Sequence, residues 1–177
     1  YEIILILETD NILVGKNWLT EMVQPFLDDP RIVSTYSMYN SYEPWMPALT
    51  KYFALFGTND AFLYYLNKTE KMPLDATGYD KGDMLADNAK YTTVSFTPQN
   101  IPPMGDNGFM VRKKNIELVN QDSRKFIHGD AFYDMVSRGH DTFGVVKNSL
   151  IHFSGGSIIG QYRSRLLYKS RFYDKKR

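Results

Sequence analysis

The chain has no cysteine among its 177 residues. That excludes disulfides, thiolate metal sites and cysteine nucleophiles, and it fits a reducing compartment. No apolar run approaches the roughly 20 residues that a membrane-spanning helix needs. No signal peptide is expected, since a core-like strand already begins at residue 1. Neither sign of charge dominates, with 21 Lys and Arg against 20 Asp and Glu. No nucleic-acid partner is expected, and the protein is assigned to the cytoplasm.

What the chain does have is a core. Its length suits one domain, and 43% of its residues are hydrophobic. Aromatics make up 15%, and half of them are Tyr, a residue that serves both apolar cores and sugar-binding surfaces. The basic residues gather at the end: from Gln161 onward seven Lys or Arg face one Asp. Such a segment is a solvated helix face or a contact with an anionic membrane surface.

The run Ile3-Ile4-Leu5-Ile6-Leu7 predicts a strand covered on both faces. It ends in Glu8-Thr9-Asp10. Residues two apart on an extended chain share a side, so Glu8 and Asp10 offer paired oxygens to a hard divalent cation. In open α/β sheets, ligands gather at such strand ends. A helix is predicted from about Asn17 to Leu27, with Leu19, Met22, Val23 and Phe26 as its apolar stripe. Arg31 to Met38 is a second buried strand. Helical spacing returns from Ala48 to Asn67, interrupted at Gly57-Thr58-Asn59-Asp60. Residues 68–92 are polar and aperiodic, a functional or mobile loop. Strands are predicted at Thr93–Phe96, Phe109–Arg112, Thr142–Val146 and Ser149–Phe153. Helices are predicted at Lys114–Val119, at Gly129–Arg138 closed by Gly139, and at Ile158–Tyr173.

Three further stretches carry chemistry. In Gly105-Asp106-Asn107-Gly108, glycines let the backbone approach a ligand while short polar side chains offer hydrogen bonds; the same pattern also makes an ordinary turn. In His128-Gly129-Asp130, Asp130 is either a helix N-cap or a general base, with Asp134 as the competing carboxylate. His152, late in a strand before Ser154-Gly155-Gly156, is either a core residue or a metal ligand.

In this order the motifs resemble the inverting family-two glycosyltransferases of the GT-A fold, over about residues 1–153. Glu8-Thr9-Asp10 is similar to the family's "DxD" element, with Glu in the first place. Gly105 to Arg112 is similar to its "GxNGxxxR" turn, and Gly129-Asp130 to its "ED" element, with Gly in place of Glu. The resemblance implies an α/β fold: a GT-A-type mixed sheet flanked by helices, lacking the N-terminal nucleotide-binding strands. Residues 1–157 would be the second half of a catalytic domain, with an acceptor-side helical insert at about 45–92. Residues 158–177 would form a basic aromatic helix, a peripheral contact at the inner face of a membrane.

The implied activity is metal-dependent transfer of a sugar from a nucleotide-diphosphate donor to a hydroxyl of a saccharide or lipid-linked acceptor. Mn²⁺ or Mg²⁺ would be held by Asp10, Glu8 and His152. Asp130 would be the base. Asn107, Gly108, Asp106, Arg112, Gly129 and Trp45 would line the donor and acceptor sides. The base and ribose pocket would come from strands before Tyr1. Two alternatives stand beside this reading: a nucleotidyltransferase of similar architecture, and a non-catalytic half-domain that needs a partner.

Overall fold

The computed structural model describes residues 2–119 and 128–157, together with 159, 160, 163 and 167. The predicted helix at 158–173 therefore lies largely outside the described residues. A mixed, open seven-stranded sheet is flanked by helices, an α/β fold. In chain order the elements are β1 (Ile3–Ile6), β2 (Asn11–Leu13), α1 (Trp18–Asp28), β3 (Ser34–Asn40), α2 (Ala48–Phe56), α3 (Ala61–Tyr65), β4 (Asp83–Asp87), β5 (Tyr91–Ser95), β6 (Phe109–Arg112), α4 (Lys113–Ile116), α5 (His128–Ser137) and β7 (Thr142–His152).

The strands lie side by side as β1-β6-β3-β7-β5-β4, with β2 also paired to β7. Among the named strands of the described residues, β3 and β7 pair in parallel and the other pairs are antiparallel. Alternation along the strands divides the core between the two faces of the sheet. Phe109, Val111, Phe143 and Val145 pack with Phe132 and Met135 of α5. Met110, Val146 and Leu150 pack on the other side with Trp18, Met22 and Phe26 of α1. The Trp18 indole N–H donates to Ser37 Oγ at 3.0 Å, so α1 is fixed to β3 by a buried polar bond as well as by burial.

Several local expectations need correction. β1 is not covered on both faces. It is the terminal strand of the sheet, and Ile4, Leu5 and Leu7 are more than a third exposed. An apolar run reports what a strand prefers to touch, while its neighbours decide what it does touch. Within α1, Leu19 is half exposed and Trp18 takes its place in the core. The predicted strands at 142–146 and 149–153 are one strand, β7, because β3 pairs with it across Lys147 and Asn148 through a register shift at Ser37/Tyr39. The polar stretch 68–92 contains β4, all five residues of which are exposed, and it joins β3 through a bridge between Tyr39 and Met72. The break at Gly57 is as predicted: that residue ends α2 at φ +68°. Among the described residues, no helix is long and apolar enough to cross a membrane.

Candidate functional site

Glu8, Thr9 and Asp10 do not continue β1. The chain turns there, with the Asn11 N–H donating to the Glu8 carbonyl at 3.2 Å and the Glu8 N–H donating to Asn11 Oδ1 at 3.2 Å. This turn takes the chain from the terminal strand β1 to β2, whose partner is β7. It also separates the two carboxylates that an extended strand would have aligned. Glu8 groups with Asp106 and His128, whose ligand atoms all lie within 4.8 Å of one another. Asp10 instead faces His152, with Oδ2 3.1 Å from Nε2. Asn11 joins the halves: its Nδ2 donates to Asp10 Oδ1 at 3.2 Å and to Asn107 Oδ1 at 2.8 Å.

Each partner arrives from a different element. His152 ends β7 directly opposite Asn11 in the ladder, and its ring lies 5.2 Å from that of Phe53 in α2. His128 opens α5, and its Nδ1 lies 2.9 Å from Asp106 Oδ1. Asp106 reaches it because the Gly105 turn presses on α5. Gly105 has φ +117°, and a Cβ there would sit 2.6 Å from the Phe132 ring and 2.8 Å from His128 Cβ. Gly105→Ala is therefore expected to destabilise the protein by on the order of 2–4 kcal/mol, adding backbone strain to overpacking. Chemical denaturation measures this, and a loss below about 0.5 kcal/mol, the range of a neutral surface change, would contradict the packing argument.

The electrostatics tie the halves together. Burial pushes the Glu8 carboxyl above its usual range, and the nearby charges of Asp106 and Asp10 push it further, while His128 and His152 oppose. The hydrogen bond to Asp106 holds the His128 imidazolium above its ordinary range despite partial burial. Carboxylates crowded beside imidazoles suit a divalent cation. The Asp106–His128 and Asp10–His152 contacts, at 2.9 and 3.1 Å, are hydrogen bonds, so a bound cation would displace the proton each pair shares.

The remaining predicted site residues are distributed unevenly. Asp130 is exposed in the first turn of α5, two residues past His128, and it is not the cap, because the helix begins before it. Gly129 lies over the Met104 carbonyl. Trp45 is 72% exposed, with its ring 6.4 Å from that of Phe153, the neighbour of His152. Gly108 is packed against Leu150 and Trp18. Arg112 stands apart from the site. It is opposite Ile3 at the far end of the β1–β6 ladder, where it donates to the Ile32 and Phe26 carbonyls at 2.8 Å each. Its role there is to hold α1 to the sheet.

Sequence reasoning missed Glu70 and Lys71, and gave His128 no role. Nothing in a polar dipeptide inside a polar stretch signals burial, yet the Lys71 side chain is 1% exposed and its Nζ lies 3.7 Å from Glu70 Oε1. Burial pushes Glu70 up to about 7, with Lys71 opposing, and burial pushes Lys71 down. A carboxyl whose folded pKa is raised binds more protons folded than unfolded between the two values. Stability therefore falls as pH rises from about 4.5 through about 7. The raised Glu8 and His128 act in the same direction. Melting temperature is expected to decline across that window, and Glu70→Gln to flatten the decline; an unchanged slope would refute the assignment.

Comparison of the chain with protein-family models, curated proteins and solved structures gave no match.

Proposed function

We propose that the protein is a metal-dependent inverting glycosyltransferase of the GT-A kind, moving a sugar from a nucleotide diphosphate to an acceptor hydroxyl. The observation that supports this reading best is the grouping of Glu8, Asp106 and His128, joined through Asn11 to the Asp10–His152 pair. Asp10 and His152 would hold Mn²⁺ or Mg²⁺, while Glu8 stands apart from them with Asp106 and His128 as a second group of candidate ligands. When bound, the cation supplies positive charge against the leaving diphosphate.

The protein's own groups do the rest. Asp130 accepts the proton of the acceptor hydroxyl. The freed oxygen attacks the anomeric carbon from the face opposite the diphosphate, and the carbon–oxygen bond to the diphosphate breaks. One in-line displacement inverts the centre, so no covalent nucleophile is needed. Asn107, held by Asn11, and Asp106 would meet the substrates, while Trp45 offers an exposed ring for stacking an acceptor sugar. The last residues of the chain are the candidate contact with an anionic membrane that carries a lipid-linked acceptor.

The test is product identity. The full-length protein is incubated with uridine, guanosine and thymidine diphosphate sugars, with Mn²⁺ or Mg²⁺ and after chelation. Metal-dependent release of nucleoside diphosphate is expected. Release of pyrophosphate from a nucleoside triphosphate and a sugar phosphate would assign nucleotidyl transfer instead, and no product from any donor would overturn the proposal.

A further inference from the structure

Lys71 is a fully buried cation beside a largely buried carboxylate. Such pairs cost desolvation energy that their attraction seldom repays, so stability alone is a poor reason to keep one. Its contacts suggest another reason. Lys71 Nζ donates to the Asn107 carbonyl at 3.2 Å and to the Ser37 carbonyl at 3.3 Å, and it lies 5.3 Å from the centre of the Phe109 ring. Ser37 belongs to β3 in the middle of the sheet; Asn107 belongs to the glycine turn. One ammonium thus bolts the turn to the sheet. Glu70 Oε1, 3.7 Å from Nζ, sets a negative charge beside that ammonium.

The segment that carries the pair is itself anchored. The Met72 N–H donates to the Met38 carbonyl at 2.9 Å, and Tyr79 Oη donates to the Glu70 carbonyl at 3.2 Å while meeting Tyr36 Oη at 2.5 Å. The turn backbone is therefore gripped at Asn107. Its neighbour Asp106 stands 2.9 Å from His128, and Asn107 Oδ1 accepts the 2.8 Å bond from Asn11. We infer that Glu70 and Lys71 are positioning residues, a buried clamp that holds the Gly105–Gly108 turn so that Asp106 and Asn107 face His128 and Asn11. The catalytic consequence rests on the transferase reading; the clamp itself does not.

The double variant Glu70→Gln/Lys71→Met separates positioning from stability, because replacing a buried ion pair by uncharged groups of similar volume is often neutral for folding. A melting temperature close to that of the unaltered protein is expected. NMR order parameters of the Asp106 and Asn107 N–H vectors should fall from about 0.85 to below about 0.6, while Val145 in β7 stays rigid. Misplacing reacting groups by about 1 Å costs on the order of 10²-fold, so kcat should fall by about that factor with donor KM nearly constant.

Unchanged order parameters at Asp106 and Asn107 in a folded double variant would overturn the clamp. A loosened turn with undiminished kcat would overturn its role in positioning the reaction. If the unaltered protein transfers nothing, the transferase reading fails and the order parameters still decide the clamp. Lys71→Met alone, in which Glu70 can become neutral by taking up a proton, covers the case of a double variant that does not fold. Unfolding of both would make the pair a stabilising element and refute the inference.

Discussion

Asp130→Asn is expected to lower the turnover of sugar transfer by about 10²–10⁴-fold, the usual cost of removing a general base. Donor KM should change little. The side chain is exposed in the first turn of a ten-residue helix, where the aligned N–H groups favour a carboxylate. An amide of the same shape keeps that turn but cannot accept the proton. Asp134, one turn later and half-buried, is the internal control, and Asp134→Asn should stay within a few-fold of the unaltered rate. Circular dichroism of both variants checks the fold. A larger loss at Asp134 than at Asp130 would transfer the role to the second carboxylate.

Asp10→Ala is expected to abolish metal-dependent transfer with the fold intact. The structural duty of this residue falls on its backbone, whose carbonyl accepts from the Phe153 N–H at 2.8 Å, and alanine retains that bond. What alanine loses is the carboxylate between His152 and Asn11. Mn²⁺ affinity, followed by calorimetry or by the relaxation of water protons, should fall more than the 10–100-fold typical of a lost outer-shell partner. Asp106→Ala supplies the contrast. If that variant loses the ion and Asp10→Ala keeps it, Glu8, Asp106 and His128 are the holders, and Asp10 has been given the wrong task.

Much of the fold was legible because local rules suffice where one element decides its own state. The 3.6-residue spacing of Met22 and Phe26 placed α1, and the glycine signals at Gly57 and Gly139 placed two helix ends, both at positive φ. Phe109–Arg112 was a strand as predicted. The failures share a cause. β1 was misjudged because the five apolar residues are silent about which strands lie beside them. β7 was divided because Lys147 and Asn148 resemble a loop until β3 is seen to run alongside. β4 was missed because its exposed residues bear no alternation that a core would impose.

The candidate site divides in the same way. Residue chemistry and order were enough to nominate Glu8, Asp10, Asp106, Asn107, Asp130 and His152, because carboxylates, amides and imidazoles beside glycines are informative wherever they fall. Their grouping was not available from order. The turn at Glu8–Asn11 sends one carboxylate to His128 and the other to His152, and it exists because β1 pairs with β6 while β2 pairs with β7. The same long-range pairing removes Arg112 to the opposite end of the sheet and buries Lys71 beneath the glycine turn. Spacing along the chain can specify a side chain's neighbours only within one strand or helix. Between elements, the hydrogen-bonded order of the strands decides which charges meet.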